Sequence, residues 1–149
     1  MDIRGFETVS AFEDCDIHLP RRKTAESAGY DIEAAEAVSI APGEMKLVAT
    51  GLKAFMNYDE YLAIHIRSGI AVKRRLMLVN STGIIDSDYY NNEDNEGHIM
   101  IALFNLGPET VTVEKGERIA QGIFSKYLQT NDDDAVGVRT GGIGSTGTK

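Results

Sequence analysis

Residues 79–90 contain the side chains best suited to catalysis. A polar amide, Asn80, precedes a Ser-Thr-Gly turn, and an apolar pair then leads directly into Asp86. In a strand, Ile84 and Asp86 share one face, so the carboxylate would have half-apolar surroundings. Neighbouring groups rather than bulk water would then set its orientation and reactivity, which makes Asp86 a candidate base. The alternative is a β-hairpin tip with solvated acids, and this segment alone favours neither interpretation.

Three arginines lie where strands are predicted to stop. Arg67 precedes a predicted helix start, Arg118 follows a Gly-Glu turn, and Arg139 begins the glycine-rich tail. A guanidinium group matches phosphate oxygens, and the backbone N–H groups of Ser68 and Gly69 at a helix start would add affinity for an anion. Each arginine alone is typical of a solvated surface, but the three together predict an anionic ligand.

The C-terminal part of the sequence differs in composition from the rest. Residues 131–134 are Asn-Asp-Asp-Asp, and residues 140–149 are mostly Gly, Ser and Thr. We therefore predict a barrel domain at 1–128, followed at 129–149 by an acidic tether and a flexible Gly-rich flap, either disordered or ordered by a ligand. Residues 141–147 resemble an anion-binding nest but lack the Gly-Lys-Ser/Thr of a P-loop. With the arginines, this tail predicts a phosphate chain as the ligand.

Composition and charge exclude several classes of protein. The chain has 149 residues, of which 42% are hydrophobic and 26% charged, so we expect an ordinary globular protein. A net charge of −8 makes general nucleic-acid binding unfavourable. No apolar run approaches the ~20 residues of a membrane span, and the first residues lack the apolar core of a signal peptide. Cys15 is the only cysteine, so the chain has no disulfide framework, which favours a reducing, cytoplasmic setting. The three histidines lack the spacing of metal ligands.

Short apolar segments with turn signals between them recur about every 8–12 residues. We predict about ten strands, with an early one at residues 16–20, and one short helix with Ser68 as its N-cap. Gly29 stands where the backbone must turn or approach another group closely. The polar residues 91–97 are predicted to form a hairpin loop. This pattern predicts an all-β barrel or sandwich of jelly-roll type.

Five segments, in order and across nearly the whole chain, resemble the motifs of the homotrimeric dUTP pyrophosphatase (dUTPase) family. They are Ala28-Gly29-Tyr30-Asp31-Ile32, Arg67-Ser68-Gly69, residues 80–89, Gly116-Glu117-Arg118-Ile119-Ala120-Gln121, and residues 139–147. The run Gly-Ile-Ile-Asp-Ser-Asp-Tyr in the third segment is the most specific. The resemblance implies a distorted jelly-roll β-barrel and a ring of three subunits whose active sites each draw motifs from more than one subunit.

The resemblance also implies an activity. This is Mg²⁺-dependent hydrolysis of dUTP to dUMP and pyrophosphate, which keeps uracil out of DNA and supplies dUMP for dTMP synthesis. Asp86 would deprotonate the water that attacks the α-phosphorus in line. Tyr89 would lie under the deoxyribose and leave no room for a 2′-hydroxyl. The triphosphate would chelate most of the Mg²⁺, with Asp31 contacting the ion through water.

The resemblance assigns the remaining site residues to three tasks. Phosphate binding is implied for Arg67, Ser68, Gly69 and Gln121, with Arg118 supporting the site or the subunit contact. Hydrogen bonds to uracil, in a narrow hairpin that excludes the thymine methyl, are implied for Asn80, Gly83, Ile84 and Ile85 with the opposing strand near Met100. Closure over the nucleotide is implied for Arg139, Ile143, Gly144, Ser145 and Thr146.

The sequence departs from the family pattern in three places. Ile143 stands where an aromatic residue usually stacks on uracil, and an isoleucine covers a base without stacking on it. Only Thr140 separates Arg139 from the glycine pair, where two residues are common. Asn91 replaces a frequent glycine, and the acidic residues that follow it, to Glu96, lengthen the hairpin end.

Two other functions fit the same resemblance. A dCTP deaminase shares the fold but removes an amino group from the base, and the Asp-Ser-Asp-Tyr run resembles dUTPase more closely. A regulatory binding role is the second, because phage-encoded relatives can act through protein partners. In that case residues 91–96 would be a plausible contact, in addition to catalysis.

Overall fold

The computed structural model describes residues 3–144 and 146–147. Its strands are β1 (Gly5–Thr8), β2 (Arg21–Arg22), β3 (Tyr30–Glu33), β4 (Val38–Ile40), β5 (Met45–Ala49), β6 (Leu52–Phe55), β7 (Glu60–Ile66), β8 (Leu76–Leu78), β9 (Gly83–Asp86), β10 (Met100–Asn105), β11 (Val111–Val113) and β12 (Arg118–Lys126). Helix α1 spans Ser68–Arg74, and 3-10 turns span Ser10–Phe12 and Ser87–Tyr89.

The strands form two main antiparallel sheets and two further strand pairs. The larger sheet has the order β2-β3-β12-β7-β9 and the smaller one β5-β10-β8, while β1 pairs with β6 and β4 with β11. Alternate residues of these strands face inward and form one apolar core, with Ile32, Leu62, Leu103 and Ile119 fully buried in it. The prediction of an all-β fold of jelly-roll type with one short helix is confirmed.

The predicted early strand at residues 16–20 is wrong. This segment has no regular structure, and Asp16 adopts a left-handed φ of 55°, which interrupts an extended chain. Pro20 at its end has no N–H group to give to a sheet. The first strand is instead β1, which pairs with β6 between Gly5 and Phe55.

The predicted N-cap of the helix is also wrong by one residue. Arg67 occupies the N-cap position with extended backbone angles, and its side chain makes no capping hydrogen bond. Ser68 is the first helical residue, and the first helical hydrogen bond runs from the Ala71 N–H to the Arg67 carbonyl. The Arg67 side chain can therefore reach across the sheet instead of covering the helix end.

Beyond β12 the described chain contains no helix or strand. Residues 128–138 are exposed, whereas Gly141 and Gly142 are buried again where the tail returns to the barrel. The division into 1–128 and 129–149 remains a prediction. In the part of the chain that the structure describes, no helix has the length and apolar character needed to cross a membrane.

Candidate active site

A cavity of about 290 Å³ lies between β9, β10 and the returning tail. Ten of the predicted site residues line it: Asn80, Gly83, Ile84, Ile85, Asp86, Tyr89, Met100, Arg139, Ile143 and Gly144. The sequence interpretation missed Gly142 and a set of apolar wall residues: Leu47, Ile64, Leu78, Ile101 and Ala102. These apolar residues carry no local signal that distinguishes a cavity wall from the core.

The two strands that line this cavity, β9 and β10, do not form the predicted hairpin. Strand β9 pairs with β7, with Gly83 opposite Ile64, and not with β10. Met100 on β10 pairs with Ala49 on β5, so β9 and β10 belong to different sheets and face each other across the cavity. Because β9 is the outer strand of its sheet within the described residues, one edge of its backbone faces away from any strand partner. That edge could hydrogen-bond a planar heterocycle.

Asp86 ends β9 on the strand face that also carries Ile84, as the alternation predicted. Its side chain is 54% exposed in the single chain, and its carboxylate accepts a hydrogen bond of 2.7 Å from Arg139 Nη2. The 3-10 turn after β9 places Asp88 beside it, where Arg139 Nε donates to Asp88 Oδ1 at 2.8 Å. Arg139, with a side chain only 12% exposed, therefore joins the tail to both acids.

Tyr89 forms a buried wall of the same cavity and is only 7% exposed. Its hydroxyl donates to the His98 carbonyl at 2.7 Å and accepts from Asn95 Nδ2 at 2.9 Å. Burial raises the pKa of the phenol, which keeps the hydroxyl protonated as a donor. The guanidinium carbon of Arg139 lies 5.8 Å from the ring centroid, within the range of a cation–π contact.

The residues expected to hold phosphates form a second cluster around Asp31. Arg67 Nε lies 3.4 Å from Asp31 Oδ1, and Arg118 Nη1 lies 3.3 Å from Asp31 Oδ2. Gln121 is paired directly with Asp31 across β12 and β3, so both side chains point to the same side of the sheet. A Cβ atom at Gly29 would overlap Gln121 Oε1, which confirms the predicted close approach at this glycine.

The two clusters lie at opposite ends of β7. Asp86 is opposite Tyr61, near the beginning of this strand, whereas Arg67 directly follows its last residue, Ile66. At about 3.3 Å per residue, the step from 61 to 67 separates the two positions by roughly 20 Å. The Arg67 side chain also extends toward Asp31 on β3, away from β9. One triphosphate cannot contact Asp86 and Arg67 of the same chain.

The described residues do not form a metal cage. They contain no group of three His, Cys, Asp or Glu side chains arranged to hold a metal ion. Asp31 is engaged by two guanidinium groups, and its side chain is 16% exposed. A carboxylate in these surroundings could give an outer contact to a cation that is bound mainly by another ligand.

Three further predicted residues lie outside the cavity. Ser68 and Gly69 are exposed at the start of α1. Thr146 is exposed beyond the part of the tail that lines the cavity. Ser145 lies outside the residues that the structure describes.

Residues 91–97 form a turn but not the predicted hairpin loop, because β9 and β10 on either side of it pair with other strands. The turn is packed against the barrel and not freely solvated. Asn92 is buried, and its Oδ1 accepts hydrogen bonds from the N–H groups of Asp94 and Asn95. Lys53 Nζ donates to Glu96 at 2.7 Å and to Asn91 at 2.6 Å. The turn therefore has one fixed conformation beside Tyr89, which the polar composition did not reveal.

His98, whose carbonyl accepts from Tyr89, makes folding stability depend on pH. Its Nε2 accepts a hydrogen bond from the Gly51 N–H at 2.9 Å, and burial lowers its pKa below the usual 6.5, although Glu36 and Glu96 act in the opposite direction. Between the lowered folded pKa and 6.5, the unfolded chain binds more protons than the folded one. We therefore expect the Tm to fall as the pH drops from about 7 through this window.

Scanning calorimetry in steps between about pH 5 and 7.5 would measure this slope. In His98→Gln the slope in that window should disappear, because glutamine does not titrate. An unchanged slope in this variant would contradict the assignment. Glu96 acts in a separate range: hydrogen bonding from Lys53 lowers its pKa below 4.5, so its contribution is lost only at more acidic pH.

The chain is similar in sequence to known proteins. The family model described as dUTPase matches residues 15–147. The deoxyuridine 5'-triphosphate nucleotidohydrolase of Lactococcus lactis subsp. lactis (strain IL1403) is 52% identical over 149 residues, which cover 99% of each chain.

Two solved structures are similar to most of this chain. The crystal structure of dUTPase from Streptococcus mutans has a TM-score of 0.81 at 45% identity and covers 85% of this chain and 98% of that one. The structure of the D95N mutant of the dUTPase from phage phi11 of S. aureus, which coordinates a structural Mg(II) ion, has a TM-score of 0.74. The match covers 90% of this chain and 97% of that one. At 21% identity, this second likeness shows the fold alone. The matched family model and the 52% identity show that this chain belongs to the dUTPase family.

Proposed function

We infer that this protein is a dUTP diphosphatase, which hydrolyses dUTP to dUMP and pyrophosphate. The observation that supports this most directly is the placement of Asp86 at the rim of a narrow cavity, between Tyr89 and the arginine of the tail. This arrangement puts a carboxylate where a nucleotide bound in the cavity would present its α-phosphate. The family match over residues 15–147 supports the same activity.

The Asp86 carboxylate acts as the general base. It accepts a proton from a water molecule, which attacks the α-phosphorus on the side opposite the leaving pyrophosphate. A position at the end of an edge strand, next to the Ser87–Tyr89 turn, fixes the carboxylate relative to Tyr89. Arg139 brings a positive charge into the same space and can neutralise oxygens of the substrate. Mg²⁺ carried by the triphosphate would supply further neutralisation of the leaving group.

Selectivity follows from the walls of the cavity. The Tyr89 ring is held by hydrogen bonds at its hydroxyl, so it cannot move to admit a ribose 2′-hydroxyl. The backbone edge of Gly83–Ile85, with Asn80 beside it, offers donors and acceptors to a pyrimidine. Polar edges that match uracil would be left unpaired by cytosine, and such buried mismatches discriminate strongly. Ile143, which is 68% exposed in the single chain, covers the opening without stacking.

The phosphate groups require a second subunit. Arg67 of one chain lies roughly 20 Å along β7 from Asp86 of that chain. Gln121 and Asp31 lie two and three strands away from β9, on β12 and β3. We propose a homotrimer in which the Asp86 cavity of one subunit faces the Arg67 cluster of its neighbour. Closed rotational symmetry gives every subunit the same two contacts, so three complete sites form.

A mixing experiment tests the shared site. Asp86→Asn and Arg67→Ala should each be nearly inactive alone, because each removes one half of every site. When both are co-expressed and mix randomly, about one quarter of the sites combine an intact Asp86 with an intact Arg67 from the neighbour. We therefore expect recovery of about a quarter of the wild-type rate. No recovery, with mixed trimers verified by mass spectrometry, would show that each site lies within one chain.

Release of pyrophosphate from dUTP and Mg²⁺ by the purified protein tests the function itself. Ammonia release from dCTP, measured in parallel, would identify the deaminase alternative instead. A regulatory role through residues 91–96 remains a prediction, which co-purification of a partner with and without dUTP would test. The cytoplasmic setting expected from the single cysteine likewise remains a prediction.

A further inference from the structure

We propose that Asn95 is a positioning residue that fastens the C-terminal tail to the sugar-binding wall of the active site. The inference extends the proposed function, since it assigns the closure of that site to a side chain outside the five motifs. It depends on contacts of Asn95 with the nearby Tyr89 and with Gly142, which is remote from both in the sequence.

The Asn95 side-chain amide is fixed in one orientation. Its Oδ1 accepts hydrogen bonds from Asn92 Nδ2 at 2.8 Å and from the Gly97 N–H at 3.0 Å. Two donors on this atom identify it as the oxygen, so the NH₂ group must point the other way. There Nδ2 donates to the Tyr89 hydroxyl at 2.9 Å. The Tyr89 hydroxyl in turn donates to the His98 carbonyl, so both of its hydrogen-bonding roles are used.

The tail packs directly on the other side of this amide. A Cβ atom built on Gly142 would lie 2.7 Å from Asn95 Nδ2 and 2.9 Å from its Cγ, closer than non-bonded atoms tolerate. Gly142 is buried at this position, and its N–H donates to Asp94 Oδ2 at 3.3 Å. Only a glycine can lie here without displacing the amide. Displacing the amide would in turn break its hydrogen bond to Tyr89.

This arrangement couples closure of the tail to the wall that holds the sugar. Gly142 and Tyr89 both line the cavity, and the Asn95 amide fills the space between them. The tail must be docked for Arg139 and Ile143 to cover a nucleotide. If docking weakens, the binding-competent fraction of the protein falls, and the apparent affinity for substrate falls by the same factor. The effect should therefore appear in KM more than in kcat.

Hydrogen exchange of the substrate-free protein measures docking without any catalysis. We expect the amides of residues 141–142 to exchange at least about fivefold faster in Asn95→Ala and in Gly142→Ala than in the wild type. Gly137→Ala is the matched control, because a Cβ atom at Gly137 meets nothing within 4 Å. Since residue 142 lies outside every strand and helix, Gly142→Ala also tests docking if Asn95→Ala proves unstable.

Kinetics and a double variant complete the test. In Asn95→Ala and Gly142→Ala, KM for dUTP should rise about tenfold while kcat changes less than about threefold. In the double variant, alanine at 95 removes the atoms that collide with residue 142, so its exchange should be no faster than in Asn95→Ala alone. Exchange within about twofold of the wild type in both single variants would overturn the inference, even if dUTP is hydrolysed. Altered exchange without any hydrolysis of dUTP would refute the proposed function and leave this contact standing.

Discussion

Asp86→Asn should lower kcat for dUTP hydrolysis by a factor of about 10²–10⁴, the usual contribution of a positioned general base. Asparagine has the same shape as aspartate and can still accept a hydrogen bond from Arg139, so the cavity should keep its form. It cannot take a proton from water, so the nucleophile is not activated. Single-turnover kinetics with dUTP and Mg²⁺ would measure the chemical step directly.

Binding should change much less than turnover in this variant. We expect the Kd for a non-hydrolysable dUTP analogue to stay within about threefold of the wild type, because Asp86 acts mainly in the transition state. Asp88→Asn is the matched control: Asp88 also pairs with Arg139, and we expect its effect on kcat to stay below about tenfold. Turnover near the wild-type value in Asp86→Asn would assign the base to another residue.

Removal of the tail is expected to have the second largest effect. A chain that ends at Val138 loses Arg139 and the residues that cover the cavity, but it keeps all twelve described strands. The core is therefore intact, and we expect an unchanged circular dichroism spectrum and unchanged trimers in light scattering. We expect kcat/KM for dUTP to fall by a factor on the order of 10² or more, since the site loses a cationic group and stays open to water.

Two point variants separate the arginine from the rest of the tail. Arg139→Ala should reproduce much of the loss, because its guanidinium contacts Asp86, Asp88 and the face of Tyr89. Val138→Ala changes the adjacent side chain, which is 87% exposed, and should behave like the wild type. A truncated chain that unfolds or dissociates would show that the tail is part of the scaffold and not a cover for the site.

The sequence by itself determined the features that depend on neighbouring residues. Alternation along β9 placed Ile84 and Asp86 on one face, because side chains in any strand alternate with a period of two. Because glycine has no side chain, the sequence could mark Gly29 as a point where another group approaches the backbone closely, and that group is Gln121. Turn residues between apolar segments predicted the all-β architecture. The early strand and the helix cap were placed wrongly because the left-handed Asp16 and the extended Arg67 are conformations that local composition does not specify.

Only the tertiary structure decided which distant groups meet. The pairing of β9 with β7 put Asp86 and Arg67 at opposite ends of one strand, a separation that points to a second subunit. Arg139 reaches Asp86, and Asn95 joins Tyr89 to Gly142, through contacts between segments that are remote in sequence. Strand order and the return path of a tail depend on how the whole core packs, so no local pattern of residues encodes them.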